Sequence, residues 1–198
     1  MLNLLSSLDD NILLFFQEAI RNPVLTPILR VITTLGNGGA IWIVLTIFML
    51  LLPKTRKVGF MTTLSLIGTL LVNNLFLKNV VNRTRPYEVI EGLTYLVRTP
   101  VDSSFPSGHS ACSFAVACIM FRRLPKKYGV PAMILAILIA LSRLYVGVHY
   151  PSDVLFGTIS GIAISYGAEA LAAWIMKRRE AGPYTEMLQH GGKNENDN

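Results

Sequence analysis

Residues 58–77 form a run of 20 side chains without a charge, bounded by Lys57 and Lys78. As a helix, a run of that length crosses roughly 30 Å of hydrocarbon. Lipid offers no water to the backbone, so such a segment has to satisfy its own N–H and C=O groups. Four further apolar runs follow the same logic: about 39–52, with its uncharged stretch reaching back to Val31; about 110–121, ending at Arg122-Arg123; about 128–142; and about 151–176, broken only by Asp153 and Glu169. The runs 110–121 and 128–142 are too short to span alone, so their polar flanks must complete the helices inside a bundle. Charged residues make up 15% of the chain and mean hydropathy is +0.47. An average soluble domain carries roughly 25% charge. An ordinary soluble globule and a disordered chain are both excluded. The expected fold is all-α: a polytopic membrane helix bundle of about six transmembrane helices. One domain is expected over residues 1–180, followed by a flexible, polar cytoplasmic tail over 181–198.

Residues 9–34 are ambiguous. Their apolar clusters, 12–16 and 24–32, are interspersed with Asp9, Asp10, Glu18, Arg21 and Arg30, and Asn22-Pro23 disfavours a continuous helix. Two readings follow: a broken span, which puts the N-terminus in the cytoplasm, or two short helices in the interface. The broken span is the preferred one. The acidic start without a basic leader does not fit a cleavable signal.

Basic residues set the orientation. Lys54, Arg56 and Lys57 follow one span; Arg122, Arg123, Lys126 and Lys127 follow another; Lys177, Arg178 and Arg179 follow the last. Alternation puts all three clusters on one side, which the positive-inside rule makes cytoplasmic. The net charge of +6 is thereby explained by topology, and no nucleic-acid partner is expected. Cys112 and Cys118 would point roughly 120° apart on one helix, so they read as apolar core residues and not as a disulfide.

Segments 78–109 and 143–153 fall on the outer side, where cations are discouraged. Yet Lys78, Arg83, Arg85, His109, Arg143 and His149 all lie there. The simplest reason is a bound anion. Pro106-Ser107-Gly108 opens a helix, and a helix start offers free N–H groups and a positive dipole end. Pro151 suits the first turn of the last span, with Asp153 in that turn and His149 four residues before it. Each piece also has a plain reading: Ser107 as an N-cap, His149 and Asp153 as a capping pair, Lys78 and Arg143 as snorkelling cations.

Taken in order, the pieces form a pattern. Lys78 is followed, after six residues, by Arg85-Pro86; then comes Pro106-Ser107-Gly108-His109; then Ser142-Arg143, five residues, His149, three residues and Asp153. This resembles the three-part signature of the phosphatidic acid phosphatase type 2 superfamily, which also includes bacterial acid phosphatases, glucose-6-phosphatase and vanadium haloperoxidases. The apolar runs resemble its lipid phosphatase branch, and the size resembles bacterial phosphatidylglycerophosphatase B and the undecaprenyl diphosphate phosphatases.

The resemblance implies an acid-phosphatase/haloperoxidase-like core and a role for each residue. Lys78, Arg85, Arg143, the Ser107 hydroxyl and the Gly108 N–H would hold phosphate oxygens. His149 would be the nucleophile, Asp153 would hold its other nitrogen, and His109 would be the general acid. His190, in the tail, is excluded. The sequence has no carboxylate cluster of the two-metal kind, so neither a metal nor another cofactor is expected. The expected activity is hydrolysis of a terminal phosphate from a lipid phosphate or diphosphate, undecaprenyl diphosphate or phosphatidylglycerophosphate, through a phosphohistidine. The expected place is the outer face of a bacterial plasma membrane, with the bilayer and the lipid as partners and no obligate protein partner. A lipid phosphotransferase using the same intermediate is the alternative. An anion transporter is a weaker one, because no internal repeat is visible.

Four features beyond the signature carry expectations. In segment 87–105, Tyr87, Val89, Ile90, Leu93, Tyr95 and Leu96 would form either an interfacial amphipathic helix or a loop packed on the bundle. Gly157 to Gly161 reads as a close-packing helix face. Trp42 and Trp174 read as interface residues. Glu169 would pair with a neighbour or snorkel.

Overall fold

Each uncharged run becomes a helix in the computed structural model, which describes the backbone of residues 2–191 and the side chains of residues 6–179. Helix α1 (Leu2–Phe15) continues into a π-helical turn, Phe16–Ile20. Then come α2 (Leu25–Leu35), α3 (Ala40–Leu51) and α4 (Arg56–Thr69), which runs on through a π-helical stretch, Leu70–Leu77, into α5 (Lys78–Val81). A single turn, α6 (Pro86–Val89), precedes the long helices α7 (Gly108–Arg123), α8 (Lys126–Tyr145) and α9 (Pro151–Gly191). No strand occurs among the described residues. Helix α9 is described as far as Gly191; residues 192–198 of the expected tail lie outside those described.

Among the described residues, three stretches are long and apolar enough to cross a membrane: Arg56–Val89, Lys126–Tyr145 and Pro151–Arg179. The pair α2 and α3, bent by 49°, qualifies when taken together. Gly38 and Gly39, at φ 58° and 74°, make that bend in a left-handed conformation that glycine adopts without a Cβ penalty.

Residues 9–34, expected as a broken span, are divided between α1 with its π-helical turn and α2. Arg21 is extended, and the Asn22 Oδ1 accepts from the N–H groups of Val24 and Leu25, so a new helix starts there. Helix α2 belongs with α3, and α1 stays at one end of the bundle. There Asp9 meets Ser152, and Leu13 packs with Leu93, Leu144, Tyr150 and Val154. The chain leaves helical conformation at Asn22-Pro23, where the sequence places a break.

Helix α7 is the central helix, packed by α4, α8 and α9. Its buried face is built of small residues, including Ala111, Ala115 and Ala117. Across from it, Gly157 and Gly161 bring α9 close: a Cβ at 161 would stand 2.4 Å from the Ala111 carbonyl oxygen, and one at 157 would stand 2.5 Å from that of Ser107. This is the close-packing face expected from the sequence.

Trp42 departs from expectation. It is fully buried and its indole donates to Ser113 Oγ at 2.8 Å, so it is a core residue and not an interface anchor. Trp174 is exposed, with the Arg178 guanidinium 4.4 Å above its ring. Glu169 pairs with Arg122 at 3.0 Å and with Arg123 at 2.8 Å, which neutralises a carboxylate at the far end of α7. Segment 87–105 forms only the α6 turn and otherwise packs on the bundle. Leu93 is buried, and the Leu96 N–H donates to the Val146 carbonyl at 3.0 Å.

Candidate active site

The start of α7 is held from below. The Ser107 oxygen accepts from the Ser110 N–H at 3.4 Å and from the Ser110 hydroxyl at 3.0 Å, while the Ser107 N–H donates to the Asp153 carbonyl at 3.1 Å. Ser107 is fully buried, with its N–H and hydroxyl oxygen both engaged. The structure places Ser107 as the N-cap of α7, with the proton of its hydroxyl not used in these bonds. Gly108 and His109 follow and face a cavity of about 930 Å³ at this end of the bundle. The His109 Nε2 lies 3.0 Å from Asn37 Oδ1, in the α2–α3 kink.

The π-helical stretch Leu70–Leu77 brings Asn74 and Lys78 to the same cavity. Such stretches wind more loosely than α-helix and recur at functional sites. Asn82, in the left-handed conformation that asparagine tolerates, then ends α5, and the chain extends through Arg85. The Arg85 side chain is only 3% exposed. It donates to the Val148 carbonyl at 2.7 Å, to the Asp102 carbonyl at 2.9 Å and to Asp102 Oδ1 at 2.7 Å. Lys78 donates to the other oxygen of Asp102.

Arg143, in the last turn of α8, donates to Thr33 Oγ1 at 2.6 Å, and its Nε has no partner among the described residues. His149 follows in the turn between α8 and α9. Its Nε2 lies 3.4 Å from Arg85 Nη1, and its Nδ1 lies 3.6 Å from Asp153 Oδ2, longer than a hydrogen bond. Burial, together with the positive Arg143 and Arg85, outweighs the Asp153 carboxylate and pushes the His149 pKa down to about 4.

Asp153 is fully buried and densely satisfied. Oδ2 accepts from the Tyr150 N–H at 3.0 Å and from the Ser104 hydroxyl, and Oδ1 accepts from Arg83 at 2.7 Å. Arg83 also reaches Asp9 at 2.9 Å and lies 3.8 Å over the Tyr150 ring. Asp9 in turn accepts from the Ser152 N–H at 2.9 Å.

Six of the eight residues singled out from the sequence line one cavity: Lys78, Arg85, Gly108, His109, Arg143 and His149. Ser107 and Asp153 stand directly behind them. The arrangement offers three buried cations, a helix start and two imidazoles to a single ligand, which is what an anion with several oxygens requires. Sequence reasoning missed Asp102, Asn37, Thr33 and Asp9, and saw Arg83 only as an outer cation. The Gly36-Asn37-Gly38-Gly39 run is a turn signal that could have drawn attention to Asn37; a lone aspartate in a loop gives no such signal.

The PAP2 superfamily model matches residues 56–179, which hold every residue of the signature. An undecaprenyl-diphosphatase of Sulfolobus acidocaldarius is 32% identical over 126 residues, 64% of this chain; the chain spans 61% of that relative's length. Undecaprenyl-diphosphatase BcrC of Bacillus subtilis is 32% identical over 145 residues, covering 73% of this chain and 74% of the relative. Among solved structures, a transmembrane PAP2-type phosphatidylglycerolphosphate phosphatase from Bacillus subtilis superposes with a TM-score of 0.70 at 28% identity, over 87% of this chain and 88% of that one. Aquifex aeolicus LpxE gives 0.66 at 25% identity, over 80% and 92%. The signature, the bundle that gathers it and the extent of the match agree: the chain belongs to the PAP2 superfamily.

Proposed function

We propose that this protein is a lipid phosphatase that removes a terminal phosphate from a lipid phosphate or diphosphate by way of a phosphohistidine. The observation that carries this reading is the convergence of Lys78, Arg85, Arg143, His109 and His149 on one cavity at the end of an apolar bundle. Phosphoryl transfer demands positioning and charge stabilisation more than covalent chemistry. Lys78, Arg85 and Arg143 supply the charge, and the arginines can address two oxygens each.

In the first step the neutral His149 Nε2 forms a bond to phosphorus as the bond from phosphorus to the lipid oxygen breaks. His109, entering this step as the protonated imidazolium, gives its proton to that leaving oxygen and becomes neutral. Asp153 stabilises the positive charge that the ring of His149 acquires. In the second step a water oxygen bonds to phosphorus, the P–N bond breaks, and His109 takes the water proton. Phosphate leaves and both imidazoles return to their starting states.

The relatives' names point to a polyprenyl diphosphate or phosphatidylglycerophosphate as substrate. The basic residues Arg122, Arg123, Lys126 and Lys127 lie at the opposite end of α7 from the cavity. The positive-inside rule then favours a cavity on the outer face of a plasma membrane.

The test is phosphate release by purified protein in detergent, with undecaprenyl diphosphate and phosphatidylglycerophosphate compared in one assay. His149→Ala should lower turnover at least ~10³-fold, about 4 kcal/mol of barrier. A folded His149→Ala protein with near-normal turnover overturns the proposal.

A further inference from the structure

Asp102 is the one carboxylate among the described residues that line the cavity. Its two oxygens take Lys78 and Arg85, while its backbone carbonyl accepts from Arg85 Nε at 2.9 Å. Burial would raise its pKa, but hydrogen bonding to Lys78 and the positive charges of Lys78 and Arg85 bring it below the ordinary value. It is therefore ionised at neutral pH. Two of the three cations assigned to phosphate are thus already engaged by an anion of the chain itself. The third, Arg143, keeps a buried Nε without a partner, a donor that a two-oxygen carboxylate on Lys78 and Arg85 leaves unused.

Asp102 stands on irregular chain. The segment from Val97 to Pro100 lines the cavity beside it, and the next residue, Val101, is fully exposed. The Asp102 side chain is itself half-exposed. It can swing off the cations without disturbing any helix.

We propose that Asp102 is an internal counter-anion of the catalytic cycle, displaced when a substrate phosphate binds and returned when product phosphate leaves. The inference rests on the phosphatase reading and adds a step to it. Three buried cations without an anion repel one another, and inorganic phosphate would be held by them as firmly as substrate. A tethered carboxylate addresses both problems. It neutralises the resting cradle, and because it is attached it competes at an effective concentration of about millimolar or more. Substrate and product are both weakened by that competition, which shortens the residence of product.

The experiment measures the affinity of orthovanadate and of inorganic phosphate for the purified wild type, Asp102→Asn and Asp102→Ala, by inhibition of phosphate release and by thermal stabilisation. Both variants should bind both anions at least tenfold more tightly, and the melting temperature should rise more on phosphate addition than in the wild type. Substrate KM should fall with them, and kcat should become limited by product release, seen as a burst in the first turnover. Anion affinities that are unchanged or weaker in the two folded variants overturn the proposal and leave Asp102 as a positioning residue for Lys78 and Arg85. Lipid phosphate turnover by the wild type tests the underlying reading separately: its absence removes that reading, whereas normal wild-type turnover with untightened variants removes only the role of Asp102.

Discussion

His109 Nε2 lies 3.0 Å from Asn37 Oδ1, so the first turn of the central helix is tied to the kink between α2 and α3. Beneath the same ring, a Cβ on residue 36 would stand 2.7 Å from His109 Cδ2. The imidazole is held from one side by a hydrogen bond and given room on the other by the absence of a side chain.

Asn37→Ala frees that ring. A positioning role predicts a fall in kcat of about tenfold with little change in KM, since substrate charge is met elsewhere. Gly36→Ala pushes the ring itself and should cost more. Steady-state kinetics on both variants check the order; equal and unchanged kcat values would remove the assignment.

The low pKa of His149 has a definite sign in stability. The ring titrates near 6.5 when exposed and near 4 in the fold, so between those values the unfolded chain binds the extra proton. Stability from this group is present above about pH 6.5 and is lost as pH falls toward 4. The acid limb of kcat/KM for free enzyme should lie near 4 as well. Melting temperature against pH should therefore fall more steeply for the wild type than for His149→Asn over that window. Parallel curves would contradict the shift.

Asp9 and Asp153 share the Arg83 guanidinium, at 2.9 and 2.7 Å. Removing Asp9 leaves Arg83 its bond to Asp153 but frees the Ser152 N–H. Asp9→Ala should cost about 1.5–3 kcal/mol, the usual range for a hydrogen bond to a charged group. Arg83→Ala should cost more and also lower kcat, because it strips a partner from Asp153. Thermal unfolding with parallel turnover measurements separates the two; an Arg83→Ala enzyme with full kcat would show that Asp153 is held without it.

Glu169 works at the other end. Glu169→Gln weakens two ion pairs, to Arg122 and Arg123, and should lower the melting temperature while leaving kcat/KM within about twofold. A large loss of kcat/KM would mean that the far end of α7 is coupled to the cavity.

What the sequence made legible was chemistry out of place. Lys78, Arg85, Arg143 and His149 stood out because the orientation expected from the basic clusters discourages cations where they lie, and their spacing fitted a known signature. The residues it hid meet their partners across long stretches of chain: Asn37 reaches His109 over 72 positions, and Asp9 reaches Ser152 over 143. No local periodicity encodes such contacts. Trp42 was misjudged for a related reason. Its place near the end of an apolar run suits an interface, and only the arrival of Ser113 on α7 gives its indole a buried acceptor. The N-terminal break was visible in Asn22-Pro23, but the pairing of α2 with α3 depends on the bend at Gly38 and Gly39.

The glycines that seat α9 on α7 have a mechanical consequence. Gly157 meets the Ser107 carbonyl, and the Ser107 N–H is fastened to Asp153, so the two helix starts form one rigid block. Stretching or thinning of the surrounding bilayer would tilt that block as a unit and leave its internal distances unchanged. Compliance is left to the Gly38–Gly39 hinge and to the strip of chain carrying Asp102, which is where adaptation to bulkier or slimmer headgroups should accumulate among related enzymes.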